Sequence, residues 1–249
     1  MSALLTYTLR QGDRSLILSQ RLLEYVTHGP ELEEEMAIAN IALDLLGQAR
    51  LLYTRAGEVE GLGHDEDHFA YWRDHTEFLN PLLVEQPQPD FAHLIVRQFL
   101  HDAFTAPYWE LLADSSDEGL AGIGAKAAKE TAYHLRHSRS WVVRLGDGTD
   151  ESHRRMQEGL DAIWRFTGEM FLDDDVDRAA AEAGYGVLPS TLRDAWQATV
   201  TDAITEATLV VPDDPSVRTG GRTGRHSEEM GPLLAEMQYM YRSFPGASW

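Results

Sequence analysis

The segment KETAYHLRHSRSW, residues 129–141, puts Glu130, His134 and His137 on one helical face, with Tyr133 beside them. Side chains three and four residues apart are neighbours on a helix, so a carboxylate and two imidazoles there could hold a metal or carry protons. Three other segments each carry an acid among apolar residues, namely Glu24, Asp44 and Asp102. One inward acid on each of four helices is the carboxylate frame of a di-iron bundle, which adds a Glu-x-x-His pair on two of them. Those pairs are missing here. Gly47 stands three residues after Asp44, and Tyr133 three after Glu130. His134 comes one position late, about 100° farther round the helix. Lys126, four residues before Glu130, could offset buried carboxylate charge in place of a metal. The alternative is an ordinary exposed pair, worth roughly 0.2–0.5 kcal/mol.

Other chemistry-bearing groups are weaker. In GHDEDH, His64 and His68 flank three acids, which reads more readily as a solvated helix start than as a metal site. No G-x-S-x-G elbow or glycine-rich phosphate loop is present. Arg136, Arg139 and Arg144 fall late in a helical segment, where cations complement the helix dipole. Arg218, Arg222, Arg225 and His226 form a second basic cluster, among glycines, and are candidates to meet a partner's acids or an anionic ligand.

Helices must position all of these. Apolar periodicity predicts long helices at 4–27, 31–55, 90–113 and 117–145, and further ones at 67–80, 150–172, 174–184, 189–209 and 227–243. The first should stop at HGP, with Gly29 taking the left-handed turn position. The first three long helices each carry a narrow polar line: Asp13, Gln20 and Glu24; Asn40, Asp44 and Gln48; Gln98, Asp102 and Thr105. The 31–55 helix is apolar round most of its circumference, as buried helices are. Pro107 should kink or interrupt the third helix, because it removes a donor and crowds the preceding turn. The one long loop is 210–227. The expectation is an all-α bundle, a single domain over 1–249, in which the four long helices form the core.

Composition narrows the function. The chain has 249 residues, no cysteine and a net charge of −20. Disulfides and thiolate chemistry are excluded, and so acidic a surface repels nucleic-acid backbones. Without an apolar run near the ~20 residues of a membrane span, or a secretory leader pattern, a cytoplasmic location is expected.

Longer motifs go further. AIANIALDLLGQAR, LLVEQP, AKAAKETAYHLRHSRSWVVRLGDGTDES and RTGGRTGRHSEEMGPLLAEMQYM resemble the C-subunit (PaaC) family of the 1,2-phenylacetyl-CoA epoxidase complex, as does the chain from YTLRQGDRSLILSQRL to the terminal PGASW. The resemblance implies a ferritin-like fold with additional C-terminal helices. It also implies a place in a bacterial monooxygenase complex that epoxidises the ring of phenylacetyl-CoA with oxygen and NADPH. In that family the di-iron centre lies in the A subunit, and the C subunit lacks it and supports A. The resemblance therefore implies no catalytic residue, metal or cofactor in this chain. Glu24, Asp44, Asp102, Lys126, Glu130 and His134 would be a vestigial site, in which Asp44, Asp102 and Glu130 approach one another while Lys126 or His134 balances charge. The implied partners are the A subunit, as a heterodimer paired into a heterotetramer, and an NADPH-dependent reductase. The competing class is a metal-binding oxidase or oxygenase with its own irregular carboxylate and histidine site.

Overall fold

The computed structural model describes residues 2–214 and 216–247. Pro215 in the long loop, and Ser248 and Trp249 of the terminal motif, lie outside the described residues. Eight α-helices follow one another: α1 (Ala3–Leu23), α2 (Leu32–Glu60), α3 (Phe91–Leu112), α4 (Glu118–Gly146), α5 (Asp150–Trp164), α6 (Asp175–Glu182), α7 (Arg193–Glu206) and α8 (Met230–Ser243). No strand occurs among the described residues. No helix is long and apolar enough to cross a membrane. The chain forms two compact units, Met1–Gln86 with Gly220–Trp249, and Pro87–Thr219.

The first unit is built on the antiparallel pair α1 and α2. Ser2 caps α1 by accepting from the Leu5 N–H (3.2 Å), and α1 then buries residues all round its surface. Ser19 donates to the Ala42 carbonyl (2.7 Å), Ser15 to the Gln48 side chain (3.4 Å), and the Tyr53 hydroxyl to Asp13 (2.6 Å). Gly12 lets the Tyr53 ring approach, since a Cβ there would lie 2.6 Å from the ring. Helix α1 stops at Leu23, four residues before the expected end, in a run of tight turns. Thr27 rather than Gly29 takes the positive φ, at 86°.

Two other expectations fail in this unit. Residues 67–80 do not form a regular helix but a π-helical turn, His68–Trp72, and a 3-10 turn, His75–Glu77. Their carbonyls are taken by side chains instead: Gln238 donates to those of Ala70 and Arg73, Arg242 to that of Tyr71, and Arg73 to those of Phe69 and Glu77. These bonds replace the i→i+4 ladder. Nor is α2 buried all round. Gln48 is buried, but Asn40, Leu32, Met36, Leu43, Leu46 and Leu51 are exposed.

The second unit centres on antiparallel α3 and α4, with α5 and α7 packed on both. Asp90 and Asp117 cap the pair, accepting from the N–H groups of His93 (2.9 Å) and Leu120 (2.9 Å). Gly124 lets α4 pass the end of α3, where a Cβ would fall 2.7 Å from the Ala113 nitrogen. Trp196 of α7 donates its indole N–H to the Leu100 carbonyl (2.9 Å). Arg139 of α4 pairs with Asp202 and Glu206 of α7. Helix α3 runs on through Pro107. Pro107 has no N–H to offer the Ala103 carbonyl one turn back, and the helix continues to Leu112. Two long antiparallel pairs followed by further helices make this an all-α, ferritin-like protein.

Candidate functional site

Asp102 is the centre of the second unit's polar chemistry. It is fully buried on α3, where Gln98 donates to its Oδ1 (2.7 Å) and Ser138 Oγ of α4 lies 2.9 Å from its Oδ2. Ser138 Oγ is also 2.9 Å from the His134 carbonyl, which can only accept. The serine hydroxyl can thus donate to the Asp102 carboxyl or to that carbonyl. Burial pushes the Asp102 carboxyl well above its usual range against the smaller opposing effect of the Ser138 and Gln98 hydrogen bonds. Asp102 is a buried acid held between two helices, its carboxyl pushed toward the neutral form.

The remaining α4 residues do not join it as a charge-balanced cluster. Lys126, Glu130, His134 and Ser138 follow one another at four-residue steps, but the line runs from solvent to core. Lys126 is 52% exposed and pairs with Glu130, itself 16% exposed, while His134 is wholly buried. The idea of Lys126 as a buried substitute for a metal is therefore corrected: it is a surface lysine on a half-buried glutamate. Asp102 is met instead by the Gln98 amide and the Ser138 hydroxyl, with His101 Nδ1 3.4 Å from its Oδ1. In the first unit, Glu24 caps α1 and pairs with Arg21 (2.8 Å), and Asp44 is half-buried on α2. Among the described residues, no three His, Asp or Glu side chains gather in a metal-holding group.

An isosteric test follows. In Asp102→Asn the amide oxygen can accept from Gln98 and the amide nitrogen can donate to Ser138, reproducing the neutral-acid pattern. The folded-state pKa is raised, so Asp102's contribution to stability is complete below its unfolded value of 3.8 and is lost as pH rises through the folded value. Asp102→Asn lacks that loss. Its stability relative to the parent should therefore grow from pH 4 to pH 8, with a cost at pH 7 under about 1 kcal/mol or a net gain. Urea midpoints across that range check this. A loss above about 2 kcal/mol at pH 7 would mean that the carboxylate is ionised.

Two buried ion pairs in the first unit escaped the reading of the sequence. Asp13 on α1 is fully buried and takes both terminal nitrogens of Arg73, the Tyr53 hydroxyl and the Leu79 N–H (2.8 Å). Burial opposes the Arg73 cation, but Asp13 and Tyr53 outweigh it and hold the guanidinium charged. The Tyr53 hydroxyl is pushed far above its usual range by burial and by Asp13. The second pair is Glu85 with His226, both side chains buried. Glu85 accepts from His226 Nδ1 (2.8 Å), Asn80 (3.2 Å) and the Ser227 N–H (2.7 Å). His226 Nε2 faces the Phe78 carbonyl at 2.9 Å. Both ring nitrogens meet acceptors, so both carry protons. Burial alone would lower the His226 pKa, but Glu85 and the Phe78 carbonyl raise it above 6.5.

His226 is therefore an internal clasp and not part of a basic docking loop, which corrects its assignment to that cluster. Of the others, Arg225 and Arg218 are exposed, and Arg222 is half-buried with its carbonyl accepting from Arg10 (3.3 Å). Arg218 belongs to the second unit and its N–H bonds the Arg165 carbonyl (2.9 Å). Glu85 directly after Leu82, Leu83 and Val84 was the available signal, a carboxylate at the end of an apolar run. Arg73, after the aromatic run FAYW, was another.

The Phenylacetic acid catabolic protein family (PaaA_PaaC) matches the chain over residues 1–249. The chain belongs to that family. It is 52% identical to the C subunit of 1,2-phenylacetyl-CoA epoxidase from Escherichia coli (strain K12), over 249 residues covering 100% of both chains. In this PaaA_PaaC chain, then, the α3–α4 pair holds a buried, hydrogen-bonded acid, and the first unit holds two internal ion pairs.

Proposed function

We propose that this chain is a non-catalytic structural subunit of a 1,2-phenylacetyl-CoA epoxidase complex in aerobic phenylacetate breakdown. It stabilises a di-iron catalytic A subunit, alongside an NADPH-dependent reductase, in the cytoplasm. The full-length 52% identity to the C subunit of such an epoxidase supports a place in the complex. The observation that supports the non-catalytic role is the Gln98–Asp102–Ser138 set, in which the buried acid of α3 is occupied by hydrogen bonds within the chain. In this reading the metal and the oxygen chemistry belong to the partner. This chain supplies folded surface, and loss of its polar α4 residues affects the complex through stability alone.

Reconstitution with the A subunit tests this. Glu130→Ala should leave phenylacetyl-CoA turnover within about twofold per assembled complex, since Glu130 pairs with a surface lysine at this end of α4. The purified chain should hold far less than one iron. A hundredfold fall in turnover with assembly intact, or about two irons per chain surviving a chelator, would move the chemistry into this chain.

A further inference from the structure

Helix α2 ends at Glu60 and the chain folds straight back on it. Gly61 takes the left-handed conformation at φ 72°, and the His64 carbonyl then lies against the last turn of α2, where a Cβ on Gly57 would fall 2.2 Å from it. That return lays the His64 ring flat on the His68 ring, with centroids 3.5 Å apart and planes 3° from parallel. Both rings stand edge-on to Phe69, at 6.2 and 5.5 Å, and Phe69 stacks on Tyr53 at 5.9 Å. Glu60 accepts from His64 Nδ1 at 2.6 Å. The charged groups that face His68 are His64 and Asp65 of the loop, Glu60 of α2 and Arg73 beyond the turn. The π-helical turn that His68 opens is fastened unevenly. Its far end is tied to α8, where Gln238 and Arg242 donate to the carbonyls of Ala70, Tyr71 and Arg73. Its near end has the His68 N–H on Asp65 (3.0 Å), the exposed pair of Glu66 with Arg50 (3.0 Å), and the imidazole stack. Exposed pairs of that kind hold weakly. Just past the stack, Asp67, Ala70 and Tyr71 form one wall of a cleft of ≈ 270 Å³ against Leu16, Leu46 and Tyr53.

We infer that the His64–His68 stack is a proton-operated latch on this wall, closed while the two rings carry one proton charge or none and open once each carries its own. One charge is accommodated, since Glu60 sits on His64 and the neighbouring ring stays neutral. A second puts two cations face to face, and Glu60 is the one carboxylate bonded to either ring among the described residues. Histidine is the side chain whose ordinary titration falls in the range where such a change is reached. Burial, then His64 and Arg73, lower the His68 pKa below 6.5 against the opposite pull of Glu60 and Asp65. The closed stack therefore binds the second proton less well than the open loop does. The latch is secure above pH 6.5 and loosens as the pH falls below that value. Residues 61–69 then lift from the end of α2, and the cleft widens from the Asp67 side while α8 keeps its hold on the carbonyls of Ala70, Tyr71 and Arg73.

Amide hydrogen exchange of the full chain at about pH 7.5 and about pH 5.5, corrected for the intrinsic effect of pH, tests the latch. Exchange in residues 61–69 should rise about three- to tenfold at the lower pH, the span that one imidazole released to its ordinary value of 6.5 allows, with α3 unchanged. His68→Phe keeps a stacking ring that takes no proton and should show no rise between the two pH values. His68→Gln carries the same expectation and keeps the test standing if the larger ring disturbs the fold. NMR titration of the two imidazoles in the parent should show two separate steps, the later one below 6.5 and coincident with the rise in exchange. Unchanged exchange in the parent would overturn the latch. So would the same rise in the His68 variants, or two protonated rings at about pH 5.5 with residues 61–69 still protected.

Discussion

His226→Ala should destabilise the protein by about 3–5 kcal/mol at pH 6, the cost of leaving a buried charge without its partner. The residue left behind is Glu85, buried and holding only the Asn80 amide and the Ser227 N–H on its carboxylate. His226→Gln keeps one donor for Glu85 and should recover part of the loss. The pH dependence separates charge from packing. The folded pKa of His226 is raised above 6.5, so its contribution is whole below that value and is lost as pH rises through the folded pKa. The gap between parent and His226→Ala should therefore narrow as the pH is raised beyond 6.5. Urea unfolding at several pH values measures it. A gap that stays constant or widens from pH 6 to pH 9 would show that the imidazole is neutral in the folded state.

Arg73→Met should cost a similar ~3–5 kcal/mol, because Asp13 is then a buried carboxylate facing only the Tyr53 hydroxyl and the Leu79 N–H. The loss also removes donors to the Phe69 and Glu77 carbonyls, on which the irregular 68–79 segment depends. Adding Asp13→Asn should return part of the stability, since the uncompensated charge disappears with it. Strong non-additivity in this double-mutant cycle is the expected result. Costs that simply add, or an Arg73→Met loss below about 1 kcal/mol, would show that Asp13 and Arg73 do not act as a pair.

These two pairs also show where the sequence stops being readable. The long helices are legible because their apolar rows are local: α3 and α4 begin at Asp90 and Asp117, acids of the type that caps a helix, each just ahead of an apolar row. Asp102 is legible as an inward acid because Ile95 and Phe99 surround it along the same helix. Its partner is not, since Ser138 stands thirty-six residues away on another helix. The 68–77 segment is misread as helix for the same reason. Its local pattern favours helix, and donors from Gln238 and Arg242, far along the chain, decide otherwise. Lys126 and Glu130 have the right spacing for a buried pair, but spacing says nothing about which end of a helix line reaches solvent. His226 sits among glycines and arginines that look solvated, and only the fold brings Glu85 to it.

The Glu85–His226 clasp has a further consequence for how the protein is made. It belongs to a unit that uses the first 86 residues and the last thirty, with a continuous second unit in between. On the ribosome, α1 and α2 emerge first, but the residues that close their unit are among the last to appear. At ~5–20 residues per second, that leaves the nascent α1–α2 hairpin waiting on the order of ten seconds with Glu85 and Asn80 lacking their C-terminal partner. Residues 87–219 can complete their own contacts during that interval. The part made first is thus completed late, since its contact with His226 can form only after residues 87–219 have been synthesised.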